Sequence, residues 1–439
     1  MHLNTFNEFR HALYACFQRS ADVLFEITDA LLTETVARSL PELSLSPFFR
    51  RLWPSLYQAL QEGRLDRPEL RCVLANFAPQ VPPGCRRILG IDASNIARPE
   101  SPTAADRTCL HVHNLPASDG AAITYGWQFS TLMVLPDQPG SQTYILDNVR
   151  IPSSQTACQV AAAQLEQIVP LLDPTDLLTA DRYYGSAIFV KLTAKIRLDK
   201  LLRIKCNAVF YRPPPPPTGR RGAPRKDGAR FKCNDTTTQG EADESWAGVD
   251  GAGQPQYVER WNGLHFRLAR ETSLSVMRVK RPNASDKQRE RRVSWFIFVG
   301  RSPLALTEVS PCYRVRYSQE HAYRFDKQAL LWATPRLRTP EQFQLWTDLM
   351  SIVHNEVVLA EPIVTAQVRP WESKVRRVSL QQVRRGLAGI ISELGTPARP
   401  PKGRGKSPGR AFGATVTPAK RYKVVRKRPA GHRPAKKRA

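Results

Sequence analysis

The chain has 439 residues, 41% of them hydrophobic, enough for two or three domains and a sizeable core. Its formal charge of +26, from 65 Lys and Arg against 39 Asp and Glu, points to a polyanionic partner whose binding weakens steeply with salt. Eight scattered cysteines without a Cys-x2-Cys pair argue against a zinc ribbon or a disulfide framework, and no apolar run approaches the ~20 residues of a membrane span.

Residues 1–84 read as helices. Apolar residues recur at three- and four-residue spacing over 6–17, 21–32, 48–60 and 67–77, with Pro54 expected to kink or restart the third. A Pro-rich stretch over 79–84 then marks a boundary. Residues 1–80 hold eight basic and nine acidic side chains. This neutrality leaves two readings open: a domain that binds DNA ends, or helical packing and dimerisation.

From residue 85 to 205 the pattern becomes mixed. Strands are expected at 88–92, 124–135, 142–151, 177–180 and 201–204, and helices at 156–171 and 186–195. Three strands followed by alternating helix and strand suit one α/β sheet. Two of these strands end in an acid. Arg86-Arg-Ile-Leu-Gly-Ile-Asp92 is an apolar run closed by Asp92, and Leu177-Leu-Thr-Ala-Asp181 repeats the design before an aromatic-Gly turn. Turn chemistry is the bland reading of either acid, whereas a catalytic carboxylate at a strand edge is the sharper one. Asp106, Asp147, Asp173 and Glu308 are rivals without that pattern. His111 and His113 have the spacing of two metal ligands on one strand face, with no third ligand in view.

Residues 206–305 open with five prolines and read as a β-rich, basic insertion, with strands over 256–261, 265–270, 276–280 and 293–299. Its basic loops, over 220–232 and 280–292, include Arg220, Arg221, Arg225 and Lys226 and alternate with Trp246, Trp261 and Trp295. That composition suits gripping a nucleic-acid backbone, and a small core is the alternative for Trp261 and Trp295.

After the insertion comes Tyr313-Arg-Val-Arg316-Tyr-Ser-Gln-Glu320, followed by Lys327. On a helix, Tyr313, Arg316, Glu320 and Lys327 share a stripe about 60° wide, with Ala322, Phe325 and Ala329 opposite. A carboxylate between cations suits a phosphodiester and a divalent metal, and a solvated amphipathic face is the bland alternative. Tyr313, Val315 and Tyr317 also alternate like a strand end, with Ser318 as an N-cap. Asp181 and Glu320 are 139 residues apart, too far for a direct connection, so something folded lies between them.

Together these residues resemble the bacterial insertion-sequence DDE transposases whose third acid lies in a Tyr-x2-Arg-x3-Glu-x6-Lys signature. Tyr313, Arg316, Glu320 and Lys327 match that signature, and Asp92 and Asp181 match the first two acids. The resemblance spans residues 86–350 and implies an α/β fold with an RNase H-like catalytic core interrupted by a β-rich insertion. It further implies a two-ion Mg²⁺ site on Asp92, Asp181 and Glu320, with Mn²⁺ able to substitute. Arg316 and Lys327 would grip DNA phosphates, and Tyr313 would position the strand. The implied partners are double-stranded transposon-end and target DNA, held by a homodimer. The implied activity is binding of terminal inverted repeats, hydrolytic cleavage of the DNA ends and joining of the 3′-OH ends to target DNA. An RNase H-like nuclease without transposition and a domesticated, non-catalytic DNA-binding protein are the alternatives. The implied location is the bacterial cytoplasm, at the nucleoid.

Residues 306–396 complete the core with C-terminal helices in this reading. Residues 397–439 are rich in Pro, Gly, Lys and Arg, with fifteen basic residues and no acid from Ala398 onward. The expectation is a disordered tail that tracks DNA, with a nuclear localisation signal as the alternative.

Overall fold

A computed structural model describes residues 2–82, 84–111, 123–140, 142–216, 223–251, 253–283, 292–372, 377–403, 409, 411–415 and 417–427. The chain opens with α1 (Leu3–Ala15), β1 (Phe17–Arg19), α2 (Ala21–Thr33), α3 (Leu40–Leu43), α4 (Trp53–Glu62), β2 (Arg64–Leu65) and α5 (Arg67–Asn76). Pro54 does not kink a helix; it starts one, because residues 48–52 are not helical and α4 begins at Trp53. It sits in the first turn of α4, where its missing N–H has no intrahelical acceptor to lose.

The central region follows as β3 (Ile88–Ala97), β4 (Thr108–His111), β5 (Ile123–Val134), β6 (Tyr144–Ile151), α6 (Ala157–Ile168), β7 (Leu177–Ala180), α7 (Ala187–Leu192) and β8 (Asp199–Ile204). β3, β5 and β6 are antiparallel, and β7 and β8 continue in parallel beside β3. This mixed α/β sheet, in the order β6-β5-β3-β7-β8, is compatible with an RNase H-like core.

The basic stretch supplies β9 (Val209–Tyr211), β10 (Arg230–Lys232), β11 (Glu244–Val249), β12 (Pro255–Phe266), β13 (Ala269–Lys280) and β14 (Val293–Val299). The strand expected over 265–270 is a hairpin turn, because β12 runs on through His265 and Phe266 before the chain reverses into β13. β14 pairs with β8, so this stretch prolongs the central sheet to twelve strands among the described residues. Trp261 and Trp295 are 1% and 3% exposed and stack at 5.8 Å, with the Arg278 guanidinium 5.2 and 5.3 Å from their rings. These two tryptophans are core.

The chain ends in α8 (Val309–Arg314), α9 (Ser318–Gln328), α10 (Pro340–Ala360) and α11 (Leu380–Leu394). Pro340 and a Thr339–Gln342 capping box start α10, which buries 18 of its 21 residues between β6 and the N-terminal helices. Its Asn355 amide takes the place of a neighbouring strand: Oδ1 accepts from Ile145 N–H at 2.7 Å and Nδ2 donates to Ile145 O at 2.8 Å. An edge strand is thereby satisfied by a helix. The N-terminal helices share one continuous apolar cluster with α10, α11 and the sheet.

At 397–403 and 417–427 the tail makes specific contacts with the body, whereas its stretches 404–408, 410, 416 and 428–439 lie outside the described residues. Arg50 and Arg51 donate to the carbonyls of Ala398 and Arg399 at 2.8 Å, and Val425 bridges Thr108 of β4 in parallel. Backbone hydrogen bonding, which does not depend on apolar content, holds these segments in place.

Candidate active site

Asp92 lies inside β3, and Asp181 immediately follows β7. Ile91 and Ala180 are parallel partners, so the two acids stand next to each other at roughly the 4.8 Å spacing of neighbouring strands. Each is oriented by a backbone N–H: Asp92 Oδ1 accepts from Ala93 at 2.8 Å and Asp181 Oδ1 from Tyr183 at 2.9 Å. Turn chemistry and site chemistry therefore coexist, because each carboxylate keeps a second oxygen for other partners.

Glu320 arrives on α9. Tyr313–Tyr317 is not the end of a strand: α8 runs through one turn of 3₁₀ helix into α9, and Ser318 is helical at φ −60°, ψ −27°. The Ser318 hydroxyl does not cap the helix. It accepts a hydrogen bond from Gly140 N–H at 3.1 Å. With the segment helical, Arg316 reaches both acids: Nη1 lies 3.6 Å from Asp92 Oδ2 and Nη2 lies 3.7 Å from Glu320 Oε1. Its guanidinium also faces Asp181 and lies over the Tyr313 ring at 5.8 Å.

Three carboxylates thus gather on one arginine. Asp92 keeps 24% of its side-chain exposure, yet its pKa is pushed up to about 6, first by loss of water and then by Asp181 and Glu320, with Arg316 opposing. Glu320 is 49% exposed at the mouth of the site. Lys327, lower on the same face, has its ammonium 5.9 Å from the centre of the Trp332 ring. Burial pulls the Lys327 pKa down, against Asp326 and Asp92. Tyr313 faces inward, with its ring 4.8 Å from Phe296, and burial raises its pKa.

The donor set fits divalent cations in chemistry and in charge. Carboxylate oxygens are the hard ligands that Mg²⁺ prefers, and a crowded acidic cluster is short of positive charge. Arg316 and Lys327 are the cations that face Asp92 in this arrangement. Among the described residues, no three His, Cys, Asp or Glu side chains already close into a ligand set.

Arg225 and Lys226 are exposed near the start of the β-rich stretch, while Arg220, Arg221 and His113 lie outside the described residues. Each rival acid has a structural partner. Asp106 pairs with Arg150 at 2.5 Å, Asp147 with Arg71 at 3.2 Å, Asp173 accepts from Thr175 N–H at 2.8 Å, and Glu308 accepts from Ala305 N–H at 2.9 Å.

Sequence reasoning missed Tyr323, whose buried hydroxyl donates to the Asp92 carbonyl at 3.2 Å and ties α9 to β3. It also missed the Asp326–His354 pair behind α9, at 2.6 Å. Tyr323 lies three residues beyond Glu320, inside the signature run, so its position was the available signal. Nothing local distinguishes His354.

A family model described as DDE superfamily endonuclease matches residues 12–262. The match takes in Asp92 and Asp181 and stops before α9. A search of curated proteins finds no match.

Proposed function

Because the chain belongs to the DDE superfamily endonucleases, matched over more than half its length, we propose that it is the transposase of a bacterial insertion sequence. It binds the terminal inverted repeats of its element, cleaves the DNA ends and joins the resulting 3′-OH ends to target DNA, working as a homodimer. The observation that carries this reading is the gathering of Asp92, Asp181 and Glu320 around Arg316.

The three acids would hold two Mg²⁺ ions, which supply Lewis-acid activation of a water or 3′-hydroxyl and stabilise charge at the phosphorus. The remaining work belongs to the chain. Asp92 and Asp181 are fixed by adjacent strands and Glu320 by a packed helix, so the acids keep their spacing while DNA comes and goes. Tyr323 holds the Asp92 backbone. Arg316 neutralises the acids in the free protein and, with Lys327, grips the phosphates flanking the scissile bond when DNA arrives. Tyr313 backs Arg316 from inside the fold, and Arg225 and Lys226 extend the contact along the backbone.

The test is cleavage of labelled DNA carrying the short inverted repeats that flank the gene, with Mg²⁺. The parent protein nicks the ends and joins them to a second duplex. EDTA stops the reaction, and Mg²⁺ or Mn²⁺ restores it. Cleavage that survives in Asp92→Ala or Glu320→Ala would overturn the site assignment. Cleavage without joining would favour a nuclease, and binding without cleavage a non-catalytic protein.

A further inference from the structure

The C-terminal arm is docked at the edge of the catalytic sheet by a receptor built for it. Tyr422 N–H donates to Pro102 O at 2.8 Å, Val425 N–H to Arg107 O at 2.7 Å, and Lys427 Nζ to Gln155 O at 2.8 Å. Val425 bridges Thr108 in parallel, so the arm lies against β4 through one isolated bridge. On the body's side stands Arg107, 4% exposed, whose hydrogen bonds among the described residues all go to carbonyls. Its Nε donates to Ala104 O at 3.3 Å and its Nη1 to Arg98 O at 3.0 Å and Pro99 O at 3.1 Å. Its Nη2 reaches out to Tyr422 O at 3.3 Å. A guanidinium buried among carbonyls and aimed at the arm is more than a loose tail requires.

The docked segment buries little of its own surface. Lys420, Arg421, Lys423 and Arg426 are exposed, and none forms an ion pair among the described residues. Lys420 lies over the Tyr422 ring at 5.3 Å. Even fully extended, the segment from Lys420 to Arg426 spans at most roughly 20 Å, with Arg421 and Lys423 of one parity and Lys420 and Arg426 of the other, so a duplex meets the cations from both sides of the arm's backbone. A segment held in place by backbone hydrogen bonds loses less freedom on meeting a charged ligand than a free chain does.

We propose that this docked arm is a DNA-backbone-binding ridge of the catalytic sheet. Its backbone hydrogen bonds to Pro102 and Arg107 hold Lys420, Arg421, Lys423 and Arg426 where they meet the phosphates of a duplex, independently of sequence. The inference rests on the reading of the chain as a DNA-processing enzyme and adds to it a surface outside the site of the three acids.

The experiment uses the full chain and a fluorescent duplex of random sequence, titrated at several salt concentrations. Two variants separate charge from docking. Tyr422→Pro/Val425→Pro keeps every arm charge and removes both N–H donors. Lys420→Gln/Arg421→Gln/Lys423→Gln/Arg426→Gln keeps the donors and removes the charge. We expect the glutamine variant to bind about tenfold more weakly near 0.1 M salt and its log–log salt slope to fall by about 3. The proline variant should lose at least threefold in affinity, and trypsin should cut after Lys423 faster than in the parent.

A proline variant that binds with the parent's affinity and slope would reduce the arm to a loose polycation and overturn the proposal. Parent-like binding by the glutamine variant would do the same. End cleavage by the parent, assayed in the same preparation, keeps the two readings apart. Cutting with no arm effect sinks only the ridge, and an arm effect without cutting sinks only the transposase.

Discussion

Arg316 sets the electrostatics of the site, because one guanidinium serves Asp92 at 3.6 Å and Glu320 at 3.7 Å while facing Asp181. Removing it leaves three carboxylates without their nearest counter-charge, and a divalent cation then relieves more repulsion. Arg316→Ala should therefore show a larger Mg²⁺-induced rise in Tm than the parent, on the order of 1 kcal/mol more stabilisation at millimolar Mg²⁺. Equal shifts in the two proteins, read by thermal melts with and without Mg²⁺, would count against Arg316 as the neutralising group. Tyr323 acts on Asp92 from the other side, through a single hydrogen bond to its carbonyl. Tyr323→Phe should cost about 1 kcal/mol in chemical denaturation and lower the cleavage rate, since the ring still fills its place while the tie is lost.

At the scale of the element, the position of α9 is decided by close packing at one end and by buried polar groups at the other. Gly90 of β3 has no side chain where a Cβ would come within 2.7 Å of Gln319, the neighbour of Glu320. Gly90→Ala should make the buried Gln319 side chain turn aside and lower DNA cleavage by about threefold through the shift passed on to Glu320. Its circular dichroism should stay near that of the parent. Further along, His354 Nδ1 lies 2.6 Å from Asp326 Oδ1 and Nε2 2.8 Å from the Thr143 carbonyl oxygen, so the ring meets an oxygen partner on each side. Burial pulls the His354 pKa down, and Asp326 more than restores it. At the C-terminal end, Arg384 of α11 donates to Ala329 O at 2.9 Å beyond α9 and to Leu31 O at 2.6 Å in α2. Arg384→Met strands those carbonyls and should cost about 2–4 kcal/mol in urea unfolding with an unchanged m value.

Across the whole molecule, Arg10 binds the N-terminal helices to the core. Its guanidinium, fully buried, pairs with Asp29 of α2 and Glu356 of α10, each at 2.6 Å. One cation shared by two buried carboxylates leaves a surplus negative charge. Glu356 is accordingly pushed from 4.5 up to about 7, by burial first and by Asp29, against Arg10. The folded state therefore binds more protons than the unfolded chain between those two values, and stability falls as pH rises through that window. The loss amounts to at most about 1.4 kcal/mol per pH unit. The His354 pKa is also raised, so its contribution is present at low pH and lost as pH rises through the folded value, in the same sense. Tm measured from pH 5 to 8 should fall in the parent and fall less steeply in Glu356→Gln. An identical slope in the variant would remove Glu356 as the cause.

Much of this protein is written in local pattern. Hydrophobic pattern marks β7 and β14 at their observed bounds and the start of β3, which runs on past Asp92 to Ala97 because its polar second half still pairs with β5, and 100° per residue puts Arg316, Glu320 and Lys327 on one face of a helix. What local pattern leaves open is pairing. That β14 joins β8 and carries the basic stretch into the catalytic sheet depends on hydrogen bonds between segments some ninety residues apart, and any apolar strand offers the same N–H and C=O groups. The same holds for the arm, whose composition reads as disorder until the free edge of β4 and the Arg107 guanidinium give its backbone a partner. It holds too for His354 and Arg384, whose charges make sense only against acceptors brought in from distant elements. The sequence by itself determined most of the elements and singled out the three acids as candidates. The tertiary structure decided which backbones and charges meet, because burial charges each polar group for an absent partner and says nothing, within a short window, of where that partner lies.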